Sequence, residues 1–459
     1  MNTQRRKFLK AAAAGGAAYA FGRTSGTVYA QAAGVGGFND YKALVCLFMF
    51  GGNDSWNMVV PTTTAEYNAY NRSRGGDAGV GSGLAIPLAS LLPINAGFGL
   101  HPSMAGLQSL FTAQRAAVVA NVGPLIRPTT KAQYQTPGWD LPPQLFSHND
   151  QQDQWHSLRG RALLRSGWGG RVADALAART PTQQLPLNVS LAGQTYFQAG
   201  VTARPYVMGS TGATTFAGFG NTGVNFARRQ SFESVINAAA TATGNTVYER
   251  GYAAVQQRAV QFSDLVNGAL AQSRSFTALP DTGVTLSPLA TQLRTVAKMI
   301  SARSTLSMSR QVFFVSTGGF DTHDNLLADQ PGLLGGISNS VRSFYDALTE
   351  MGMENNVTLF THSDFGRTLT SNGDGSDHAC GGVQFVVGGA VRGGSIYGDY
   401  PLLEIGSPQD VGGGRFIPSA SVDQYAATLA NWFGVADADL ALVAPSIGNF
   451  AQRNLGFMA

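Results

Sequence analysis

The chain of 459 residues is 44% hydrophobic and 13% charged, about half the usual share of charge. This excludes disorder driven by low hydrophobicity and leaves room for one large domain or about two to three smaller ones. Its 57 glycines follow no collagen-like period, and Cys46 and Cys380 allow at most one bridge, so no disulfide framework carries the fold. The net charge of +4 sits at the N-terminus, where residues 1–30 hold Arg5, Arg6, Lys7, Lys10 and Arg23 and no acid. The remaining 26 basic and 27 acidic side chains leave the rest at −1, which removes the case for nucleic acid as a partner.

The chain opens with Gln4-Arg5-Arg6-Lys7-Phe8-Leu9-Lys10, an apolar run from Ala11 to Gly22, and small residues at Val28-Tyr29-Ala30. This pattern is that of a twin-arginine export signal over residues 1–30, cleaved between Ala30 and Gln31. The expected partner during export is the twin-arginine translocase, which moves proteins already folded and so suits a protein loaded with metal before export. The mature chain, 31–459, is expected in the periplasm or outside the cell. It holds no window near 18 uninterrupted apolar residues, so no mature membrane span is expected.

Ala43 to Phe50 is a continuous apolar run ended by Gly51-Gly52, the signature of a strand buried on both faces. Met104 to Arg115 has helical spacing, and Ala116 to Val122 reads as a second buried strand. The segment from 195 to about 245 is rich in Gly, Thr, Ala and Asn; with helices near Val247 to Ser273 and Pro288 to Ala302, it makes 195–300 a cap inserted on the main sheet. Strands at Val312 to Val315, Val357 to Phe360 and Phe385 to Val387, a helix near Ile337 to Met351 and an amphipathic helix at Val422 to Phe433 complete the pattern. Alternating strands and helices predict an α/β/α sandwich with a mostly parallel central sheet.

Ligands of an open α/β sheet bind beyond the carboxyl ends of the strands. Three acids fall there: Asp54 in Gly51-Gly52-Asn53-Asp54, Asp321 in Gly318-Gly319-Phe320-Asp321-Thr322-His323, and Asp364 in His362-Ser363-Asp364-Phe365-Gly366-Arg367. Asp377-His378 precedes the next strand, and Phe146-Ser147-His148 sets a hydroxyl beside a histidine. Four of the six histidines lie in these clusters. Carboxylates with imidazoles suit a divalent metal ion such as Zn²⁺ or Mn²⁺, with Mg²⁺ and Ca²⁺ also open. Asp after a strand also caps helices, so each cluster alone is ambiguous. His101 reads as a loop or cap residue, His156 as packing, Cys46 as a buried thiol, and Cys380 as a packing residue with a lesser case as a soft ligand. Arg367 is equally suited to an anionic substrate group and to a structural ion pair. No G-x-G-x-x-G dinucleotide fingerprint is present.

Taken with Ser55-Trp56-Asn57, Val59-Val60-Pro61, Thr368 and Val391-Arg392-Gly393-Gly394, these motifs resemble the exported bacterial family catalogued as domain of unknown function 1501, over nearly the whole chain. That family resembles the alkaline phosphatase and sulfatase superfamily, which implies an α/β/α sandwich with a metal site at the strand ends. The resemblance matches Asp54 to the first-strand metal ligand, Asp321 and His323 to an Asp-x-His pair, Asp364 to the next acid, His378 to a late histidine, and Ser147 to the approximate place of the nucleophile. His148 is implied as a further ligand or acid/base. Two departures stand out: Asp364-Phe365 replaces the Asp-His of two-metal members, with His362 a stand-in for the missing ligand, and the C/S-x-P-x-R setting of sulfatases is absent. The function implied is metal-dependent hydrolysis of a phosphate or sulfate ester, a small molecule or glycan, with Ser147, His148 and Arg367 as catalytic residues. The alternative is a non-catalytic exported binding or assembly protein on the same fold.

Overall fold

Strand β1, Lys42–Met49, is buried along almost its whole length, and its side chains divide by parity. Ala43, Val45, Leu47 and Met49 enter one hydrophobic core, while Leu44, Cys46 and Phe48 enter another. A strand that is apolar on both faces needs helices on both. The computed structural model, which describes residues 37–76, 83–94 and 97–459, meets that need with three layers, α/β/α. The export signal expected at 1–30 lies outside the described residues.

The central sheet adds β2 Ala116–Gly123, β3 Asn188–Ser190, β4 Tyr206–Val207, β5 Arg310–Thr317, β6 Val357–Ser363, β7 Gly382–Val387, β8 Ile396–Tyr397 and β9 Ala420–Ser421. The strand order is β8-β2-β7-β6-β1-β5-β3-β4, with β9 also paired to β2. Every pairing is parallel except the two made by β7. The exception has a local cause. Between β6 and β7 the chain forms a hairpin, Arg367–Ser371 with Ser376–His378, and no crossover helix, so β7 returns antiparallel.

Nine helices of eight residues or more are found among the described residues: α1 Thr64–Ser73, α2 Ala105–Thr112, α3 His148–Ser157, α4 Trp168–Leu176, α5 Gly223–Thr241, α6 Val247–Ala271, α7 Pro288–Ser301, α8 Leu326–Glu350 and α9 Val422–Phe433. α2, α7 and α8 cover the face that receives Val45 and Leu47, through Leu107, Leu293 and Val341 among others; α4 and α9 cover the opposite face, through Val172 and Leu429. Of the segment 195–300, β4 extends the sheet edge and α7 is built into the core, which leaves α5 and α6, packed on each other, outside the sheet. No helix of the described residues is long and apolar enough to cross a membrane.

α9 starts at Ser421, whose hydroxyl accepts from the Asp423 N–H in a capping box with Gln424. Asp423 is itself buried, and its Oδ1 accepts the Ser446 N–H at 2.9 Å, tying the C-terminal segment to the helix. Burial pushes the Asp423 carboxyl up to about 7 from 3.8, against the opposing pull of the Ser446 N–H and Arg171. Between those values the folded chain keeps a proton that the unfolded chain releases, so this group's contribution to stability falls as pH rises through the window. Urea unfolding across it will show Asp423→Asn gaining on the wild type as pH increases; a difference independent of pH contradicts this account.

Candidate metal centre

Parallel pairing in register brings the carboxyl ends of β5, β1 and β6 side by side, with Met49 opposite both Thr317 and Ser363. The loops that follow carry Asp321, Asp54 and Asp364. Two glycines let them close. At Gly51, with φ +117°, an added Cβ would stand 2.3 Å from the Asp321 backbone nitrogen; at Gly52, with φ +83°, it would stand 2.3 Å from the Phe365 ring. Into this rim α3 inserts its first residue, His148, and the hairpin strand Ser376–His378 contributes its last, His378.

Asp321 is the hub of the group. Its Oδ2 lies 3.4 Å from His148 Nε2, and its Oδ1 lies 3.2 Å from His323 Nε2 and 3.3 Å from His378 Nε2. The two facing nitrogens, His323 Nε2 and His378 Nε2, are 2.8 Å apart. The His378 ring stands between the other two, with centroids 4.5 Å from His148 and 4.7 Å from His323. Phe365 lies against His148 and His378, with centroids 4.8 and 4.4 Å away. His148, Asp321 and His378 each offer one ligand atom within 4.8 Å of the others, a set able to hold a metal ion, and His323 adds a further nitrogen beside His378.

The outer nitrogens explain the inner ones. His148 Nδ1 is 2.6 Å from Asp364 Oδ2, and His378 Nδ1 is 2.8 Å from the Phe146 carbonyl oxygen. Both oxygens only accept when Asp364 is ionised, so both Nδ1 atoms carry the proton; a neutral ring then turns a lone pair inward at Nε2, and a protonated ring donates there. Burial lowers the His378 pKa, outweighing the Phe146 contact, and so favours its neutral form. Burial alone would raise the Asp321 pKa, but the Arg367 hydrogen bond and charge outweigh it and hold the carboxylate ionised. His323 Nδ1 lies 3.3 Å from the Asp377 carboxylate on the side away from His378. Lone pairs and a carboxylate directed at one space repel unless shared protons or a cation lie among them. Outer-shell acceptors on imidazole Nδ1 are the usual companions of histidine metal ligands.

Asp364 orients the site from behind. It is fully buried, its Oδ2 also accepts the Gln152 amide at 3.0 Å, and its Oδ1 has no hydrogen-bond partner. Arg367, with a fully buried side chain, donates from Nη1 to Asp321 Oδ1 at 2.8 Å and to the Gly51 carbonyl at 3.0 Å, and from Nε to the Ser376 carbonyl at 2.9 Å. Its donors are occupied by the protein, which gives it a positioning role over Asp321 where the sequence left a substrate-binding role open.

Asp54 and Ser147 are each engaged by another side chain. Asp54 is buried in a salt bridge with Arg74, the residue just after α1, and also accepts the Ser376 hydroxyl at 2.8 Å; Arg74 and Asp54 are both fully buried. Burial alone would lower the Arg74 pKa, but the Asp54 charge keeps it protonated. Ser147 precedes α3 and donates to Asp150 Oδ2 at 2.8 Å, while the residues on either side of it, Phe146 and His148, touch the centre. His362 lies away from the centre, buried among Phe48, Trp155, Trp168 and Phe360, its Nδ1 3.8 Å from Cys46 Sγ; burial holds its pKa well below 6.5. His101 and His156, read as cap and packing residues, are buried, with pKa values lowered by burial to about 4 and about 3. Cys380 is a buried free thiol whose pKa burial raises to about 12. Gln152 and Arg74 are residues whose parts in and around the site the sequence left unread.

The fold and site therefore define an α/β/α protein with a histidine–carboxylate centre at the carboxyl ends of its parallel strands. Residues 41–411 match the family described as Protein of unknown function (DUF1501), and the chain belongs to that family. No curated protein matches the sequence. Among solved structures the chain is similar to Ps i-CgsB in complex with k-i-k-neocarrahexaose, at 9% identity and a TM-score of 0.35, over 90% of this chain and 77% of that one. It is also similar to BT1596, a 2-O GAG sulfatase, at 11% identity and a TM-score of 0.30 over 87% and 71% of the two chains. A third is alkaline phosphatase from the Antarctic bacterium TAB5, at 10% identity and a TM-score of 0.27 over 78% and 94%.

Removing one partner of a buried ion pair leaves the other charge uncompensated, a loss of about 3–5 kcal/mol. Arg74→Met will lower unfolding stability by that order, and Arg74→Met with Asp54→Asn will recover part of it. A single Arg74→Met variant as stable as the wild type contradicts the assignment of this pair.

Proposed function

We propose that the protein is an exported, metal-dependent hydrolase of phosphate or sulfate esters. The observation that carries the reading is the convergence of the His148, His323 and His378 Nε2 atoms on the Asp321 carboxylate. Ligand atoms about 2.0–2.1 Å from a tetrahedral zinc ion stand ~3.3 Å from one another. The ligand atoms of His148, Asp321 and His378 lie within 4.8 Å of one another, and the Asp321 oxygens stand 3.2 to 3.4 Å from the three Nε2 atoms, near that edge length, which supports one divalent ion of the zinc type. Such an ion would polarise the ester oxygens and offset the negative charge that develops on them.

The chain's own residues account for the rest. Asp364 and the Phe146 carbonyl fix the rings of His148 and His378, and Arg367 fixes Asp321. The Ser147 hydroxyl, set between Phe146 and His148, attacks the phosphorus or sulfur, and Asp150, 2.8 Å away, takes its proton. A water molecule gives a proton to the leaving alkoxide, and the resulting hydroxide attacks the seryl ester, releasing phosphate or sulfate while the serine oxygen takes back the proton held by Asp150. The sealed Asp54–Arg74 pair favours a second reading, in which a single centre is retained by an exported binding or assembly protein without turnover.

Assays of the metal-loaded chain with p-nitrophenyl phosphate and p-nitrophenyl sulfate separate the two. Turnover reduced at least about 10³-fold in Ser147→Ala, at unchanged metal content, supports the serine mechanism. Turnover retained in that variant excludes Ser147 as nucleophile, and no turnover of either ester by the wild type favours the binding protein.

A further inference from the structure

α3 carries more than the first residue of the centre. His148, Gln152 and His156 recur every four residues and so share one face of the helix, spanning about 12 Å from first to last. His148 lies at the centre, and the Gln152 amide reaches Asp364. Beyond them is a cleft of about 400 Å³ lined by Gln152 and His156 together with Phe50, Phe314, Asn149 and Gln194. The cleft and the centre thus share Gln152 as a common wall.

The chemistry of the lining is selective. Asn149, Gln152 and Gln194 supply neutral amides that donate and accept, and the half-buried Phe50 supplies aromatic surface over a floor that includes Phe314. His156 is 6% exposed, and its Nε2 has no hydrogen-bond partner, a buried polar atom that nothing in the protein satisfies. Burial keeps its imidazole neutral, with a pKa lowered to about 3. The acid in the lining, Asp153, is engaged by Arg159 at 2.6 Å. Neutral hydrogen-bonding groups around aromatic surface, with no unpaired charge, match a ligand that carries hydroxyls on its edge and C–H groups on its face.

We infer that this cleft seats an uncharged sugar ring, with its hydroxyls on the amides of Asn149 and Gln194 and its C–H face on Phe50. Its role as the seat of the alcohol part of an ester rests on the hydrolase reading, whereas binding of the sugar itself does not.

Saturation-transfer NMR on the metal-loaded full chain, with maltose, cellobiose and N-acetylglucosamine as probes and glucuronate as the charged comparison, tests the inference. Binding of at least one neutral sugar in preference to glucuronate is expected, weakened about tenfold in Asn149→Ala/Gln194→Ala through loss of two hydrogen-bonding groups. Gln194→Trp, which fills the cleft from an exposed position, should abolish it. No binding of any neutral sugar, or binding unchanged in both variants, overturns the inference. Turnover of p-nitrophenyl phosphate or p-nitrophenyl sulfate, measured on the same wild-type samples, keeps the two claims apart. Turnover without sugar binding removes the cleft assignment alone, and sugar binding without turnover removes the hydrolase reading alone.

Discussion

Two imidazoles with their outer nitrogens committed to oxygen acceptors have only their inner nitrogens left to offer, and here both face the same carboxylate. That constraint governs the site. Asp364 and the Phe146 carbonyl decide the tautomers of His148 and His378, Arg367 keeps Asp321 ionised, and His323 closes the set against His378. Like polarity gathered at 2.8 to 3.4 Å is unfavourable unless a cation or shared protons lie among the ligand atoms. A divalent ion meets the requirement for all the groups at once.

The sheet supplies the precision. β5, β1 and β6 are in register and parallel, so the loops bearing Asp321, Asp54 and Asp364 leave the sheet at one level. Glycines at 51 and 52 remove the side chains that would hold those loops apart. The same geometry brings Asp54 near the rim but gives it to Arg74, whose buried guanidinium neutralises it inside the protein. One acid of the rim thus serves the architecture, and the histidine-bearing side serves the centre.

Much of this was legible in the sequence because it is local. Runs such as Ala43 to Phe50 announce two-sided burial, and acids just after such runs fall at the strand ends by construction. The helix at Val422 to Phe433 carries its own capping box, and its observed bounds coincide with the expected ones. What was not legible depends on partners distant in the chain. Nothing near His148 announces Asp364, and nothing in α1 announces that Arg74 meets Asp54. The reversal of β7 turns on a hairpin whose polar, glycine-containing sequence at 372–376 reads equally as loop. In 195–300, a low-charge composition hid an edge strand, and the helix expected near Pro288 to Ala302 joins the core; its apolar stripe marks packing but not the layer it joins.

The central claim is that the histidine–carboxylate centre holds a metal. Elemental analysis of the full chain folded in its native host, beside His148→Ala and His378→Ala, tests it directly. The account predicts about one divalent ion per wild-type chain and its loss in both variants. A wild-type chain without metal, or an ion retained in both variants, contradicts it.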